Sequence, residues 1–293
     1  VTTDVTADAT PAGPSWDALL AGAGLARLDA RVLLAHAAGR SREWLLAHGD
    51  EPAEPAAVTT FAALAERRRA GEPLAYLLGW REFLGRRFEV GPAVLVPRPE
   101  TEGLVEAALA RLPVPGAVAP RVLELGTGSG AIAASIALAR PDASVTATDL
   151  SAEALALARA NAARLGAARI VWHRGDWWQA LPPGTALFDA IVSNPPYIAQ
   201  SDPHLLDPAL RHEPRVALAS GPLGLDAIDA IAAGAPARLA AGGWLLLEHG
   251  HDQGQAVRAR LRAAGLVSVA TLADLQGLER VTLGRAPGPP TGR

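Results

Sequence analysis

The sequence predicts an α/β protein, a doubly wound and mostly parallel sheet preceded by a small all-α bundle and a short β-hairpin. Three observations carry that expectation. From residue 121 onward, short apolar or alternating runs take turns with stretches of helical length. A glycine-rich turn follows the first of those runs. Before residue 76, apolar residues instead recur at intervals of three and four between short polar loops.

Residues 1–14, rich in Thr, Ala and Pro without periodicity, are expected to be a disordered tail, as are 287–293. Residues 15–75 read as a helical domain. Leu25, Leu28, Val32, Leu33 and His36 fall on one helical face. Ser41 is an N-cap candidate for a helix over 43–48, and Thr60 for a third, with Phe61, Leu64 and Ala65 inward and Gly71 and Pro73 ending it. Across 76–98, Tyr76, Trp80, Phe83, Phe88, Val90, Val94 and Val96 sit among Gly and Pro, the pattern of a hairpin linker. Pro97 and Pro99 then open a helix through Leu112, whose first turn holds Glu100 and Glu102, where the dipole favours acids.

The last region, 99–286, carries seven strand candidates: 121–125, 144–149, 169–173, 188–193, 243–248, 266–271 and 279–284. Helices are expected over 130–140, 152–165, 225–239 and 252–264. Strand–helix alternation of this kind gives a Rossmann-like sheet, and the missing helix between the last two strands predicts an antiparallel hairpin at its edge.

Composition narrows the chemistry. The 293 residues contain no Cys, which excludes a disulfide framework, a thiolate metal site and a thiol nucleophile, and points to the cytoplasm. All 27 basic residues are Arg, so a Walker lysine and Schiff-base chemistry are excluded. The net charge of −3 speaks against a broad nucleic-acid groove. No apolar run is long enough to span a bilayer, and the N-terminal stretch lacks the basic start and apolar core of a secretory signal.

The segment 122–132, VLELGTGSGAI, is a buried strand, a glycine turn and a helix start. Gly126, Gly128 and Gly130, with Thr127 and Ser129 between them, let the backbone approach a ligand closely. Asp149 ends the next strand, where a carboxylate can take two ribose hydroxyls. A dinucleotide site wants G-x-G-x-x-G; the G-x-G-x-G spacing here suits S-adenosylmethionine, which has no pyrophosphate to cradle. After the third strand, Asp176 can accept from an adenine amino group and Trp177 can stack on the base.

The sharpest feature is Asn194-Pro195-Pro196-Tyr197, directly after the fourth strand. Two consecutive prolines make a rigid turn with predictably directed carbonyls. Such a turn suits methylation of a planar, weakly nucleophilic NH2 group. The Asn194 side-chain oxygen and the Pro195 carbonyl can accept its two N–H bonds, with Tyr197 over the planar face. Residues alone leave adenine, cytosine or a glutamine amide as the acceptor.

In these features the sequence resembles the peptide chain release factor glutamine methyltransferases (the HemK/PrmC family). The resemblance runs from about Leu28 to Gly284, through DARVLLAH (29–36), RAGEPLAYLLGWREF (69–83), VPRPETE (96–102), the glycine loop, SNPPYI (193–198), EPRVAL (213–218) and LLLEHG (245–250). It implies a class I methyltransferase fold with a helical substrate-docking domain, and S-adenosyl-L-methionine as methyl donor, leaving S-adenosyl-L-homocysteine. It also implies transfer to the glutamine of the Gly-Gly-Gln motif of release factors, by a monomer acting on neither nucleic acid nor membrane. Carried over by position, Gly126–Gly130, Asp149, Trp177 and Asn194 would contact the cofactor, and Asn194–Tyr197 the glutamine. A sister group methylates glutamine in a ribosomal protein; adenine N6-methylation is the other rival. Arg67–Arg69 and Arg86–Arg87 read as solvated faces, His249 and His251 as a pair without a third metal ligand, and Glu248 as structural or supporting.

Overall fold

The computed structural model describes residues 13–116, 118–167 and 169–288, so most of both expected tails lies outside the described residues. The chain divides into two compact units, Val1–Leu78 and Gly79–Arg293.

The first unit is helical: α1 (Trp16–Gly22), α2 (Arg27–Ala38), α3 (Arg42–Ala47), α4 (Pro55–Arg69) and α5 (Leu74–Leu78). Ser15 and Ser41 cap α1 and α3, their hydroxyls accepting from the N–H groups of Ala18 and Trp44. Trp16, Leu33, Leu34, Phe61 and Leu64 form the core, with Trp44 edge-on to Trp16 at 5.9 Å. Three expectations need correcting. The buried stripe of α2 is Ala30, Leu33 and Leu34, while Leu28 and His36 face solvent. Helix α4 starts at Pro55, not after Thr60, because proline's fixed φ suits the first helical position. Tyr76 lies on α5, not in the hairpin. The arginine run is engaged locally: Arg67 forks onto Glu72, Arg68 pairs with Asp29 at 2.8 Å, and Arg69 donates to the Ala65 carbonyl.

The second unit opens with the hairpin β1 (Trp80–Phe83) and β2 (Arg86–Glu89). Its two-residue turn has Leu84 and Gly85 both at positive φ, the geometry matching the twist of antiparallel strands. Phe83 and Phe88 are fully buried in the core of this unit, so the expected linker is part of the second unit's packing. Arg87 lies over the Trp80 ring at 4.2 Å. A short 3-10 turn (Pro99–Thr101) precedes α6 (Glu102–Leu109), so the predicted helix is shorter at both ends.

The remaining elements are β3 (Arg121–Leu125), α7 (Ala131–Ala139), β4 (Ser144–Asp149), α8 (Ala152–Leu165), β5 (Val171–Arg174), β6 (Phe188–Ser193), α9 (Asp226–Gly234), β7 (Leu239–Glu248), α10 (Gly254–Ala263), β8 (Val267–Ala273) and β9 (Glu279–Arg285). They build a seven-stranded sheet in the order β5-β4-β3-β6-β7-β9-β8. Only β9 runs antiparallel, inserted between β7 and β8. Helix α9 stops at Gly234 and Leu239 already belongs to β7, against an expected helix through 239.

Period-two alternation sorts the central strands onto both faces. Val122, Ala190, Val192 and Leu246 pack with α6 and α7 on one side. Leu123, Ile191, Leu245 and Leu247 pack with α9 and α10 on the other. Strand order reverses where β3 lies between β4 and β6, and there the carboxyl ends of the strands open a crevice.

Candidate functional site

The glycine turn after β3 is shaped by its own backbone. Gly126 and Gly130 have φ of 74° and 81°, a region costly to residues bearing a Cβ. A Cβ on Gly130 would also come within 3.0 Å of Ala158 on α8. The N–H groups of Gly126 and Thr127 both donate to the Thr148 carbonyl at 2.9 Å, tying the turn to the end of β4. Gly128 N–H donates to Asp149 Oδ2 at 2.8 Å, and Ser151 N–H to Oδ1 at 2.9 Å. Burial raises the Asp149 carboxyl above the usual range, while these backbone donors oppose the rise.

A cavity of about 560 Å³ lies over this turn. Gly126, Thr127, Gly128, Ser129, Asp149, Asp176, Trp177, Asn194 and Pro196 all line it, so residues spread over 71 positions of sequence converge. Trp177 sits at φ 40°, an uncommon conformation for a bulky residue, and its indole lies beside Gly126. Trp178 has a different job: its Nε1–H donates to the Ala230 carbonyl at 2.9 Å, and its ring fills the space a side chain at Gly234 would need. Gly130 does not line the cavity; it supports the turn from behind.

The rigid turn after β6 is anchored by Ser193, whose hydroxyl donates to the Leu125 carbonyl at 2.7 Å. Asn194 Nδ2 donates to Thr101 Oγ1 at 3.0 Å, and its Oδ1 is buried without a partner among the described residues. A smaller cavity of about 120 Å³ adjoins the first, lined by Leu95, Arg98, Asn194, Tyr197, Ile198 and Ala217 among others. Asn194 faces both cavities. The Pro195 ring is buried and lines neither. Tyr197 OH donates to Glu248 Oε1 at 3.4 Å, and the Tyr197 carbonyl accepts from Gln253 Nε2 at 2.9 Å. Burial and the neighbouring Glu248 charge raise the phenol above its ordinary value.

Three polar residues at this site, Glu124, Thr101 and Glu213, were given no role in the sequence reading. Glu124, in the middle of an apolar strand, is fully buried; its Oε2 accepts from Thr127 Oγ1 at 2.6 Å and Ala133 N–H at 3.0 Å. Its Oε1 is partnerless among the described residues, it lines the larger cavity, and burial pushes its pKa up to about 8. A lone acid inside VLEL was the available signal. Thr101 lines the same cavity. Glu213 accepts from Val96 N–H at 2.9 Å and from Arg98 at 2.5 Å, which ties 213–220 against the segment before α6. Glu248, expected to be structural or supporting, is fully buried at the end of β7 with its pKa pushed up to about 7. His249 is engaged by the Gly250 carbonyl and Thr282, and no cluster of three or more metal-ligating side chains occurs among the described residues.

This sheet order, with a glycine turn under an acid-ended second strand, defines a class I S-adenosylmethionine-dependent methyltransferase. Residues 15–79 match the family described as PrmC N-terminal domain, and 106–223 the Methyltransferase small domain. The chain is 57% identical over 266 residues to the release factor glutamine methyltransferase of Bordetella pertussis, covering 91% of this chain and 97% of that one. It is 54% identical to the Xylella fastidiosa (strain Temecula1) protein of the same name, covering 94% and 99%. A solved methyltransferase from Pyrococcus furiosus shares the fold, with a TM-score of 0.53 at 22% identity over 71% of this chain and 91% of that one. The chain belongs to the release factor glutamine methyltransferase family.

Proposed function

We propose that this protein transfers a methyl group from S-adenosylmethionine to the side-chain amide nitrogen of the glutamine in the Gly-Gly-Gln motif of peptide chain release factors. The observation that carries this reading is the position of Asn194, which lines both a cofactor-sized cavity and a side-chain-sized one and whose Oδ1 has no partner among the described residues.

The larger cavity fits the cofactor. Asp149 suits the ribose hydroxyls, Asp176 the adenine amino group and Trp177 the base face, while the glycine turn gives the chain clearance. Glu124, a buried acid lining that cavity with an unused oxygen, suits the ammonium of the methionine portion. Bound there, S-adenosylmethionine supplies an electrophilic methyl group on a sulfonium.

The chain's own task is to orient the nucleophile. An amide nitrogen spreads its lone pair into the carbonyl, so it attacks poorly while planar. Asn194 Oδ1 and the Pro195 carbonyl can accept its two N–H bonds, which fixes the nitrogen and favours its pyramidal form. Tyr197 covers the amide face and excludes water. No general base is needed before attack, since the methylated cationic nitrogen is a strong acid and loses its proton afterwards.

The helical unit from residue 15 to about 75 is assigned to substrate docking, and 99–286 to catalysis. The lack of cysteine fits a reducing cytoplasm, where a monomer would meet its substrate; no helix among the described residues is long and apolar enough to cross a membrane. The test offers purified release factor and methyl-labelled cofactor. Label should enter the release factor and not a version with Ala at the Gly-Gly-Gln glutamine. Equal labelling of both, or labelling of a ribosomal protein or nucleic acid instead, overturns the reading.

A further inference from the structure

An asparagine side chain offers nearly the same shape at its donor and acceptor ends, and only the acceptor end helps against a substrate NH2. In this site the selection falls to Thr101. Asn194 Nδ2 donates to Thr101 Oγ1, which leaves Oδ1 without a partner among the described residues, on a residue that lines both cavities. A threonine hydroxyl, however, is itself ambivalent: it accepts from Nδ2 as readily as it would donate to Oδ1. The amide orientation is therefore fixed only if the Thr101 proton is drawn elsewhere.

Glu248 is the group that can draw it. Its carboxyl is 1% exposed, accepts Tyr197 OH on Oε1, and leaves Oε2 without a partner among the described residues. Thr101 and Glu100 face it from the turn before α6, Tyr197 from the loop after β6 and Arg280 from β9. A charged carboxylate is costly to bury there, with Arg280 and the hydroxyls of Thr101 and Tyr197 offsetting that cost only in part. Placed behind Thr101, it has a reason in the chemistry.

We propose that Thr101 and Glu248 are positioning residues for methyl transfer: the Glu248 carboxylate draws the Thr101 hydroxyl proton, the Thr101 oxygen then accepts from Asn194, and the acceptor end of that amide is held toward the substrate. This rests on the assignment of Asn194 above. Protonation of Glu248 reverses the chain of donors. The acid can then donate to Thr101 Oγ1, the Thr101 proton becomes free for Asn194 Oδ1, and the amide turns a donor toward the substrate's donors. Burial pushes the Glu248 carboxyl up to about 7, with Glu100 adding to the rise and Thr101, Arg280 and Tyr197 opposing it. The rate should accordingly fall as pH drops through about that value.

The experiment compares wild type, Thr101→Val, Thr101→Ser and Glu248→Gln on purified release factor, with calorimetric titration of S-adenosylmethionine and a thermal melt for each. Thr101→Val is expected to lower kcat by about 10- to 100-fold while the cofactor Kd stays within about 3-fold, the size expected for losing orientation and not binding. Thr101→Ser keeps the hydroxyl and should recover kcat to within about 3-fold of wild type. In an Asn194→Ala background, Thr101→Val should cost nothing further, because its effect passes through the missing amide. Glu248→Gln cannot ionise, and its kcat should lose the acid limb. Wild-type kcat in Thr101→Val, a Ser variant no better than Val, fully additive losses in the double variant, or an unchanged acid limb in Glu248→Gln would each overturn the proposal while release factor is still labelled by wild type. An unlabelled wild-type reaction removes the underlying assignment, and this proposal with it.

Discussion

On the β3–β4 side of the crevice, the acids Glu124 and Asp149 take their hydrogen bonds from donors at most 21 positions away, three of the four being backbone N–H groups. On the β6–β7 side, every functional group is held by a side chain or strand far off in sequence. Asn194 meets Thr101 across 93 positions, Tyr197 meets Glu248 across 51, and Glu213 meets Val96 across 117. In the proposed reading the local side is a binding cradle, formed when β3, α7 and β4 come together. In the same reading the remote side orients the reacting amide, and its contacts form only once distant strands of the sheet are assembled. Perturbing each side should therefore give different kinetic signatures, rate on one and cofactor affinity on the other.

The largest effect is expected from Asn194→Ala. Removing a positioned acceptor of this kind should lower kcat by roughly 100- to 1,000-fold, with a much smaller change in KM for release factor. Steady-state labelling checks this. A variant that instead raised KM and spared kcat would make Asn194 a docking residue and dissolve the contrast between the two sides.

Next comes Asp149→Ala on the cradle side. If Asp149 holds the ribose as proposed, two hydrogen bonds to a charged acceptor are lost and the cofactor Kd should rise by about 10- to 100-fold. At saturating cofactor, kcat should stay within about 5-fold of wild type, since the lost binding is shared by ground and transition states. Calorimetric titration and rates at high cofactor give the two numbers separately. A collapse of kcat that saturation does not restore would mean the turn, held to Asp149 through Gly128, had lost its shape.

The same contrast explains what could be read in advance. The strand order's ingredients, the glycine turn, Asp149 and the tetrapeptide at 194–197 all announce themselves in short contiguous stretches. Thr101 and Glu213 do not, and Glu248 shows only as a strand-end acid in a supporting place. Each is an ordinary polar residue until β6, β7 and the segment before α6 come together, and their function is a matter of register between distant chains. Boundaries failed for a related reason. The start of α4 at Pro55 and the early end of α9 at Gly234 follow from local proline geometry and strand pairing that periodicity ignores. Leu28 fits a helical stripe by spacing, yet the bundle buries Ala30 and Leu34 beside the expected Leu33 and leaves Leu28 exposed.

The smallest effect tests the one acid on the cradle side that was not anticipated. Glu124 has its pKa raised from about 4.5 to about 8 by burial. Between those values the native state holds a proton that the unfolded chain releases, so stability is full below about pH 4.5 and is lost as pH rises toward about 8. Glu124→Gln keeps an acceptor for Thr127 and Ala133 but removes the charge. Its melting temperature should therefore gain on wild type between pH 5 and pH 8.5, by a few degrees at the alkaline end. Affinity should move the other way. If the carboxylate meets the cofactor's ammonium, wild type at pH 7 releases a fraction of a proton on binding, visible as a buffer-dependent enthalpy, and the Gln variant releases none and binds about 10-fold more weakly. A melting difference that ignores pH would place Glu124 among ordinary satisfied core groups. A variant that binds as tightly as wild type would rule out the pairing of Glu124 with the cofactor's ammonium.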